Sequence, residues 1–581
     1  MGIDGEALIQ CKKYEDAFSW YSDHLTKTPD DPILISGAAI SLWFLGKTSE
    51  AVARLECATI KYPSAPDLVS NLGWLLNRER EFSLARRKLT IALHQHPDHI
   101  ALRINLGFSL IQLGQFDEAI ECFEPLRSSQ PMIAEAVRLL GVAYHRTNQL
   151  ERAAACFDAL LRDGHRDLTI LLTHSDALAR LGRLDESLGW YNLALSIEPR
   201  NEAAVLGKAR VLGALGRADD GLVTLDTLSR ASDTSTANTF ALRSLLLAQL
   251  GRGREALEAC EIAARSDKSP EMQCQLGFFQ ATVGDYKAGF SALEARRMLP
   301  EFIAFSPDPT AKSWVGNFSL TSKRLLVYQE QGHGDMIQCL RYLPMLVHQA
   351  REVTIAVPTS LASLTRSVAP GANIISVGDT VPPYDCYIPF MSLPYAFGTT
   401  LETIPRTMPY ITVTKSETDR WSEKLSLLQP PLIGIVWKGE PKNPRAKHRD
   451  IPAAKLTPFG ELPVNFISLQ RPPNDDLAVG QRNITEYGHL IKDFMDAAAL
   501  ISKLDLIIAV DTAYAHVAGA LNVPTWILLD VNADWRWGRN VGESPWYPSA
   551  RLFRQKKPGD WSDVIETIKM ELLSKFRFPS H

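Results

Sequence analysis

The chain is 581 residues long, 45% hydrophobic and 22% charged, with 35 glycines and 35 prolines. That length suits about three to five folding units, and the composition excludes collagen-like, disordered and mini-protein classes. Lys plus Arg is 62 against 66 for Asp plus Glu; a net charge of −4 supplies no basic footprint for nucleic acid or an anionic membrane.

The opening MGIDGEALIQCKKYEDAF has no basic run followed by an apolar one, so no cleaved signal peptide is expected. Glu6 stands where a myristoylation motif takes Ser or Thr. The most apolar stretch, around 504–529, is broken by Asp511, His516 and Pro524 and predicts no membrane span. Eight cysteines (Cys11, Cys57, Cys122, Cys156, Cys260, Cys274, Cys339 and Cys386) form no C-x-x-C pair. They read as buried thiols of a reducing compartment, and the chain as a soluble, cytoplasmic protein.

The first half repeats. Pro29, Pro63, Pro97, Pro131 and Pro199 recur on a 34-residue step, with His165 in the empty slot. A small residue precedes each at a fixed distance (Ala17, Ala51, Ala85, Ala119, Ala153, Ser187, Gly221), followed by a large one (Tyr21, Leu55, Leu89, Phe123, Phe157, Tyr191, Leu225). Gly73, Gly107 and Gly141 mark a fourth column, and a slipped, weaker register continues through Gly251, Ala256, Gly277, Gly284 and Leu293. Small residues suit the crossing of two antiparallel helices, large ones fill the space between hairpins, and proline ends the second helix.

This pattern, with NLGW…LARRKLTIALHQHP, resembles the tetratricopeptide repeat over residues 1–298, about eight to nine hairpins of an α solenoid. Grooves of such arrays bind peptides or proteins. Asn71 and Asn105 hold equivalent places on successive first helices. In related arrays that place faces the groove, where an amide can clamp a peptide backbone; alternatively the pair only caps or solvates the surface. His94, His96 and His99 lack Cys or carboxylate companions, so no metal site is expected there.

Residues 299–322 read as a connector. Beyond it come short β-branched and leucine-rich runs: RLLVY (324–328), VTIAV (353–357), NIISV (373–377), LIGIVW (432–437), NFISL (465–469), LDLIIAV (504–510) and TWILL (525–529). Helix-like segments separate several of them, which predicts α/β lobes with parallel sheets and ligands at the carboxyl ends of the strands. A proline-rich section at 404–410 divides a lobe at 323–415 from one at 416–581 that ends in a helix.

Three clusters sit where that geometry places chemistry. In QEQGHGDMIQ, Gln331, Gly332 and Gly334 form a tight turn after the first strand, and Asp335 begins a helix, either as a cap or as a working carboxylate. The loop VWKGEPKNPRAKHRDIP holds Lys438, Lys442, Arg445, Lys447, His448 and Arg449, with Asn443 as a neutral donor. It is either idle surface charge or a phosphate-neutralising loop. In LIIAVDTAYAHVAGA, Asp511, Thr512 and Ala513 mark a helix start that could cradle a phosphate. Asp511 reads as a helix cap or a ribose acceptor. His516, one turn in, either touches ligand or is structural.

Together EQGHGD, the WKG loop with its basic tail, SLQ (468–470), DF-x-D-A-A-A-L-I (493–501), VDTAYAH and DWRWGRN…SPWYPSARLFRQKKPGDW resemble a heptosyltransferase-like glycosyltransferase of GT-B architecture. The similarity is greatest to the bacterial branch in which that domain follows tetratricopeptide repeats. The resemblance implies two Rossmann-like lobes, acceptor on the first and donor nucleotide on the second, with inverting transfer and no obligatory metal or other cofactor. It assigns Asp335 as general base, and Thr512 with the Ala513 amide as phosphate binders. Lys438, Asn443, Lys447, Arg449, Asp511 and His516 complete the donor side; Gln331, Gly332 and Gly334 form the acceptor loop. Ala513 stands where the heptosyltransferase motif has glycine.

A short first lobe beside a repeat array suggests a protein acceptor delivered by the groove. Family analogy points to flagellin, with a nonulosonic acid from a CMP-linked donor as one candidate sugar. A lipopolysaccharide or capsule glycosyltransferase and a catalytically inactive scaffold are the alternatives. Self-association into a homo-oligomer is left open.

Overall fold

Where small residues recur at helical-repeat spacing, two helices can pair at close range, and the chain folds accordingly. The computed structural model describes residues 4–127, 133–229, 236–303, 311–440, 446–471, 483–538 and 542–576. It divides into two compact units, Met1–Leu215 and Gly216–His581.

The first unit is a run of paired α-helices from Gly5–Gln10 to Glu202–Ala214. Ala17, Ala51, Ala85, Ala119, Ala153 and Ser187 are fully buried at the helix crossings. Within a hairpin, the large residue of the second helix lies on the glycine of the first. A Cβ on Gly73 would meet Leu89, one on Gly107 would meet Phe123, and one on Gly141 would meet Phe157. Bulk on one helix is thus accommodated by its absence on the other.

In the asparagine column, Asn105 is engaged within the array. Its equivalents Gly37 and Gly207 press against Tyr21 and Tyr191 of the preceding helix, so this place faces the neighbouring hairpin. Asn105 donates through Nδ2 to the carbonyl and hydroxyl of Ser70 at 3.0 and 3.1 Å. Asn77 donates to the Asn105 carbonyl at 2.9 Å, and Ser109 to Asn77 Oδ1 at 2.7 Å. The Asn105 amide therefore works inside the array, stitching consecutive repeats, because a polar group at a packed interface must find partners there. Asn71 is half-buried in the same column.

The second unit opens with further paired helices, Ala218–Ser229, Ala237–Gln249, Gly253–Ser266, Pro270–Thr282 and Tyr286–Leu293. Two parallel sheets follow. The first contains β1 (Lys312–Ser313), β2 (Arg324–Tyr328), β3 (Glu352–Val357), β4 (Asn373–Ser376) and β5 (Cys386–Pro389) in the order β1-β5-β2-β3-β4. The second contains β6 (Leu432–Val436), β7 (Asn465–Ser468), β8 (Ile484–Glu486), β9 (Leu506–Val510), β10 (Thr525–Leu529) and β11 (Ala550–Arg554) in the order β11-β10-β9-β6-β7-β8. This arrangement is consistent with a GT-B type glycosyltransferase.

Every one of the seven predicted runs carries a strand. The sequence reading missed β1, β5, β8 and β11: β1 and β8 are two and three residues long, and β5 is four residues ending in proline. Within the presumed connector, β1 belongs to the first lobe, since it pairs with β5 and Trp314 is buried beside it; residues 304–310 lie outside the described residues.

Strands of the second sheet bury both faces. Ile507 and Ala509 point into a core shared with the first lobe, whereas Leu506, Ile508 and Val510 point into one closed by the Ser562–Phe576 helix. The shared core extends back into the last helical hairpin, where Tyr286 and Phe290 pack on Trp535 at 5.9 and 5.2 Å. Trp546 donates to the Tyr286 hydroxyl at 3.0 Å. The end of the repeat array is therefore built into the α/β module. Among the described residues no helix is long and apolar enough to cross a membrane. Cys11 and Cys57 are exposed and Cys274 is half-buried, correcting the expectation that all eight thiols are buried.

Candidate active site

In an open parallel sheet, ligands lodge where the connections diverge, at the carboxyl ends of the strands. Counted from β6, the second sheet runs 3-2-1-4-5-6, which puts that point between β6 and β9. The first sheet diverges between β2 and β5. Residues following all four strands line a single cavity of about 900 Å³.

On the second-lobe side, Lys438 and Gly439 follow β6, and Asp511 and Thr512 follow β9. The Lys438 amide donates to Gln470 Oε1 at 3.0 Å, and the Gly439 amide to Asp450 Oδ1 at 3.0 Å. A Cβ on Gly439 would run into the Arg449 guanidinium, so the backbone there passes close against that side chain. Arg449 donates through Nη1 to the Asp511 carbonyl at 2.9 Å, joining the two strand ends. Its Nε and Nη2 are buried without a hydrogen-bond partner among the described residues, although Nε lies 3.6 Å from Asp450.

Thr512, not Asp511, is the N-cap of the Ala513–Ala520 helix, and its side chain makes no capping bond. The Thr512 hydroxyl is likewise buried without a partner among the described residues. A buried hydroxyl, the Arg449 Nη2 without a hydrogen-bond partner among the described residues and the N–H groups of a helix start together suit an anion. Asn443 lies outside the described residues, as does the side chain of Lys447.

The first lobe supplies the facing wall. The left-handed residue of its turn is Gln331 (φ 61), not a glycine; Gly332 is an extended N-cap with φ −84. The helix His333–Cys339 starts two residues before Asp335, which is therefore neither its cap nor its first residue. Asp335 reaches back instead, accepting from the Gly332 amide at 2.8 Å through Oδ2. Its Oδ1 is ion-paired with Arg536 Nη2.

Arg536 is 5% exposed, donates to Asp534 Oδ1 at 2.6 Å and to Gln338, and lies 4.4 Å from the centre of the Trp535 ring. It spans the lobes and orients the Asp335 carboxylate. Gly334 serves close approach, since a Cβ there would lie 2.8 Å from His516 Cδ2.

His516 is a wall, not a charged ligand. Its Nδ1 is 2.9 Å from the Tyr547 hydroxyl, and its ring stacks on Trp537 at 5.1 Å. Burial, with the Arg536 and Arg341 cations nearby, pushes its pKa down to about 3 against the pull of Asp534. The imidazole is neutral at physiological pH and contributes no cation to a phosphate. His333, beside Asp335, lies tilted against Phe494 at 5.2 Å; burial lowers its pKa too.

Sequence reasoning missed Arg536, Asp534, Arg471 and Arg296, all of which line the cavity. The motif DWRWGRN carried the first two, an arginine between tryptophans in a loop after a strand. Nothing in the local pattern marks Arg296, whose partners lie elsewhere in the chain.

Residues 37–100, 104–167 and 146–203 match the tetratricopeptide repeat family, and residues 492–558 match glycosyltransferase family 9 (heptosyltransferase). The latter stretch contains Asp511, Thr512, His516 and Arg536. Protein FlbA of Caulobacter vibrioides is 27% identical over 527 residues, spanning 84% of this chain and 86% of FlbA. Among solved structures, a tetratricopeptide repeat protein of Parabacteroides merdae is 21% identical with a TM-score of 0.34, covering 45% of this chain and 98% of that one. YrrB, described as a TPR protein with an unusual peptide-binding site, is 17% identical with a TM-score of 0.28, covering 32% and 94%.

Proposed function

We propose that this chain, which joins tetratricopeptide repeats to a glycosyltransferase family 9 domain, is a cytoplasmic protein O-glycosyltransferase. The observation that carries the reading is that the Asp335 carboxylate shares one cavity with the buried Thr512 hydroxyl and Arg449 Nη2, which have no hydrogen-bond partner among the described residues. A nucleotide sugar lies with its phosphate on the Ala513–Ala520 helix start, its charge offset by Lys438 and Arg449. An acceptor hydroxyl enters beside Asp335, which takes its proton as the oxygen attacks the anomeric carbon. The bond to the phosphate breaks on the opposite side, inverting that carbon, and the nucleotide leaves against the donors that held it.

The repeats recruit the acceptor polypeptide. Flagellin is the acceptor class we favour, and a nonulosonic acid delivered from CMP the donor, whose single phosphate suits one helix start. This last step rests on the family resemblance. The test incubates purified protein with candidate flagellin and a panel of nucleotide sugars that includes a CMP-linked nonulosonic acid, with intact mass as the readout. The expected result is a mass increment of one sugar class, lost in Asp335→Asn while the donor still raises the melting temperature. Full transfer by Asp335→Asn would remove the base assignment. No increment and no thermal shift across the panel would leave a scaffold.

A further inference from the structure

Where the first sheet diverges, between β2 and β5, the gap is filled from within by the end of the repeat array. Arg296 lies in the short turn Glu294–Met298 that follows the last helical hairpin, with its side chain 5% exposed. All of its donors are used. Nε and Nη2 grip both oxygens of Glu330 at 2.5 and 2.8 Å. Nη2 also reaches Ser392 Oγ at 2.9 Å, while Nη1 reaches the Leu293 carbonyl at 3.0 Å and Glu294 Oε1 at 2.8 Å. Ser392 in turn donates to Glu294 Oε1 at 2.7 Å, closing the network.

Glu330 follows β2 and Ser392 follows β5, so one guanidinium holds the two strand ends that border the cavity. Glu330 immediately precedes Gln331, the left-handed residue, and then the Gly332 cap that Asp335 grips. Its own carboxylate is only 4% exposed. A buried carboxylate tied by a two-pronged arginine has one position, and the chain leaving it inherits that position. Arg297 adds a second tie, donating to Ser313 of β1 at 2.7 Å.

We propose that Arg296 is a positioning residue that sets the 331–335 loop through Glu330, making the last repeat hairpin part of the catalytic module and not of the recruiting arm. The proposal rests on the reading of this cavity as the transfer site only for its kinetic consequence; the loop geometry is measurable without it.

Two full-length variants test it. Glu330→Gln keeps the shape and leaves Arg296 neutralised by Glu294; Arg296→Met with Glu330→Gln removes the pair and leaves Glu294 to Arg297, 3.5 Å away. Both are expected to melt within about 3 °C of the parent. Hydrogen exchange followed by mass spectrometry should show amides of 331–339 exchanging about tenfold faster, with protection of β3 and the Thr359–Val368 helix unchanged. With the CMP-linked nonulosonic acid and flagellin above, kcat should fall about tenfold with the donor KM within about twofold, because the donor wall belongs to the other lobe. Unchanged exchange at 331–339, or a rise spread evenly over the first lobe, overturns the proposal. If the parent transfers no sugar, the exchange experiment still decides it.

Discussion

Acidification should expose His516 as a stability element. In the folded chain its imidazole stays neutral down to about pH 3, whereas an unfolded histidine titrates near its ordinary value of 6.5. Below pH 6.5 the unfolded chain therefore binds a proton that the folded chain refuses. Stability fully present above that pH is lost progressively as pH falls towards 3. Between pH 8 and pH 5 the loss from this one group comes to about 2 kcal/mol, at about 1.36 kcal/mol per pKa unit. Because carboxylates titrate in the same range, the comparison must be with His516→Asn, which keeps a polar group near the Tyr547 hydroxyl. Urea unfolding followed by tryptophan fluorescence suits the purpose, since Trp537 stacks on the ring. The variant is less stable at pH 8, and the gap to the parent should narrow by about 2 kcal/mol at pH 5. A gap independent of pH would mean that the imidazole is hydrated or charged in the fold, and the reading of it as a dry wall would fail.

Arg536→Met strands Asp335 and Asp534 without their cation. It should cost about 3–5 kcal/mol in chemical denaturation and abolish transfer, whereas an unchanged midpoint would show that the pair is solvated. Gly107→Ala drives a methyl into Phe123 and should lower stability by about 1–3 kcal/mol in chemical denaturation, whereas an unchanged midpoint would show that the ring can move aside. Removal of residues 1–298 uncovers Trp535 and Trp546, now 4% and 1% exposed, and should give insoluble protein. Removal of 1–215 follows the boundary between the compact units and should leave a cooperatively melting fragment, as calorimetry can show.

The amino-acid sequence by itself determined the repeat array and most of the strands. A 34-residue period and runs of β-branched residues are local signals, and each arises from packing or dihedral preferences acting over a few turns. It also placed the three polar clusters at strand ends, because a parallel sheet directs its loops to one edge. What it could not determine was which groups meet. Asn105 turned towards Ser70 because its column faces the neighbouring hairpin, as the contact of Gly37 with Tyr21 shows. Arg296 and Glu330, 34 residues apart, and Arg536 and Asp335, 201 apart, became partners only when sheets and helices packed into one core. A charge finds its counter-charge through burial, which removes water as the competing partner, and burial is a property of the assembled fold.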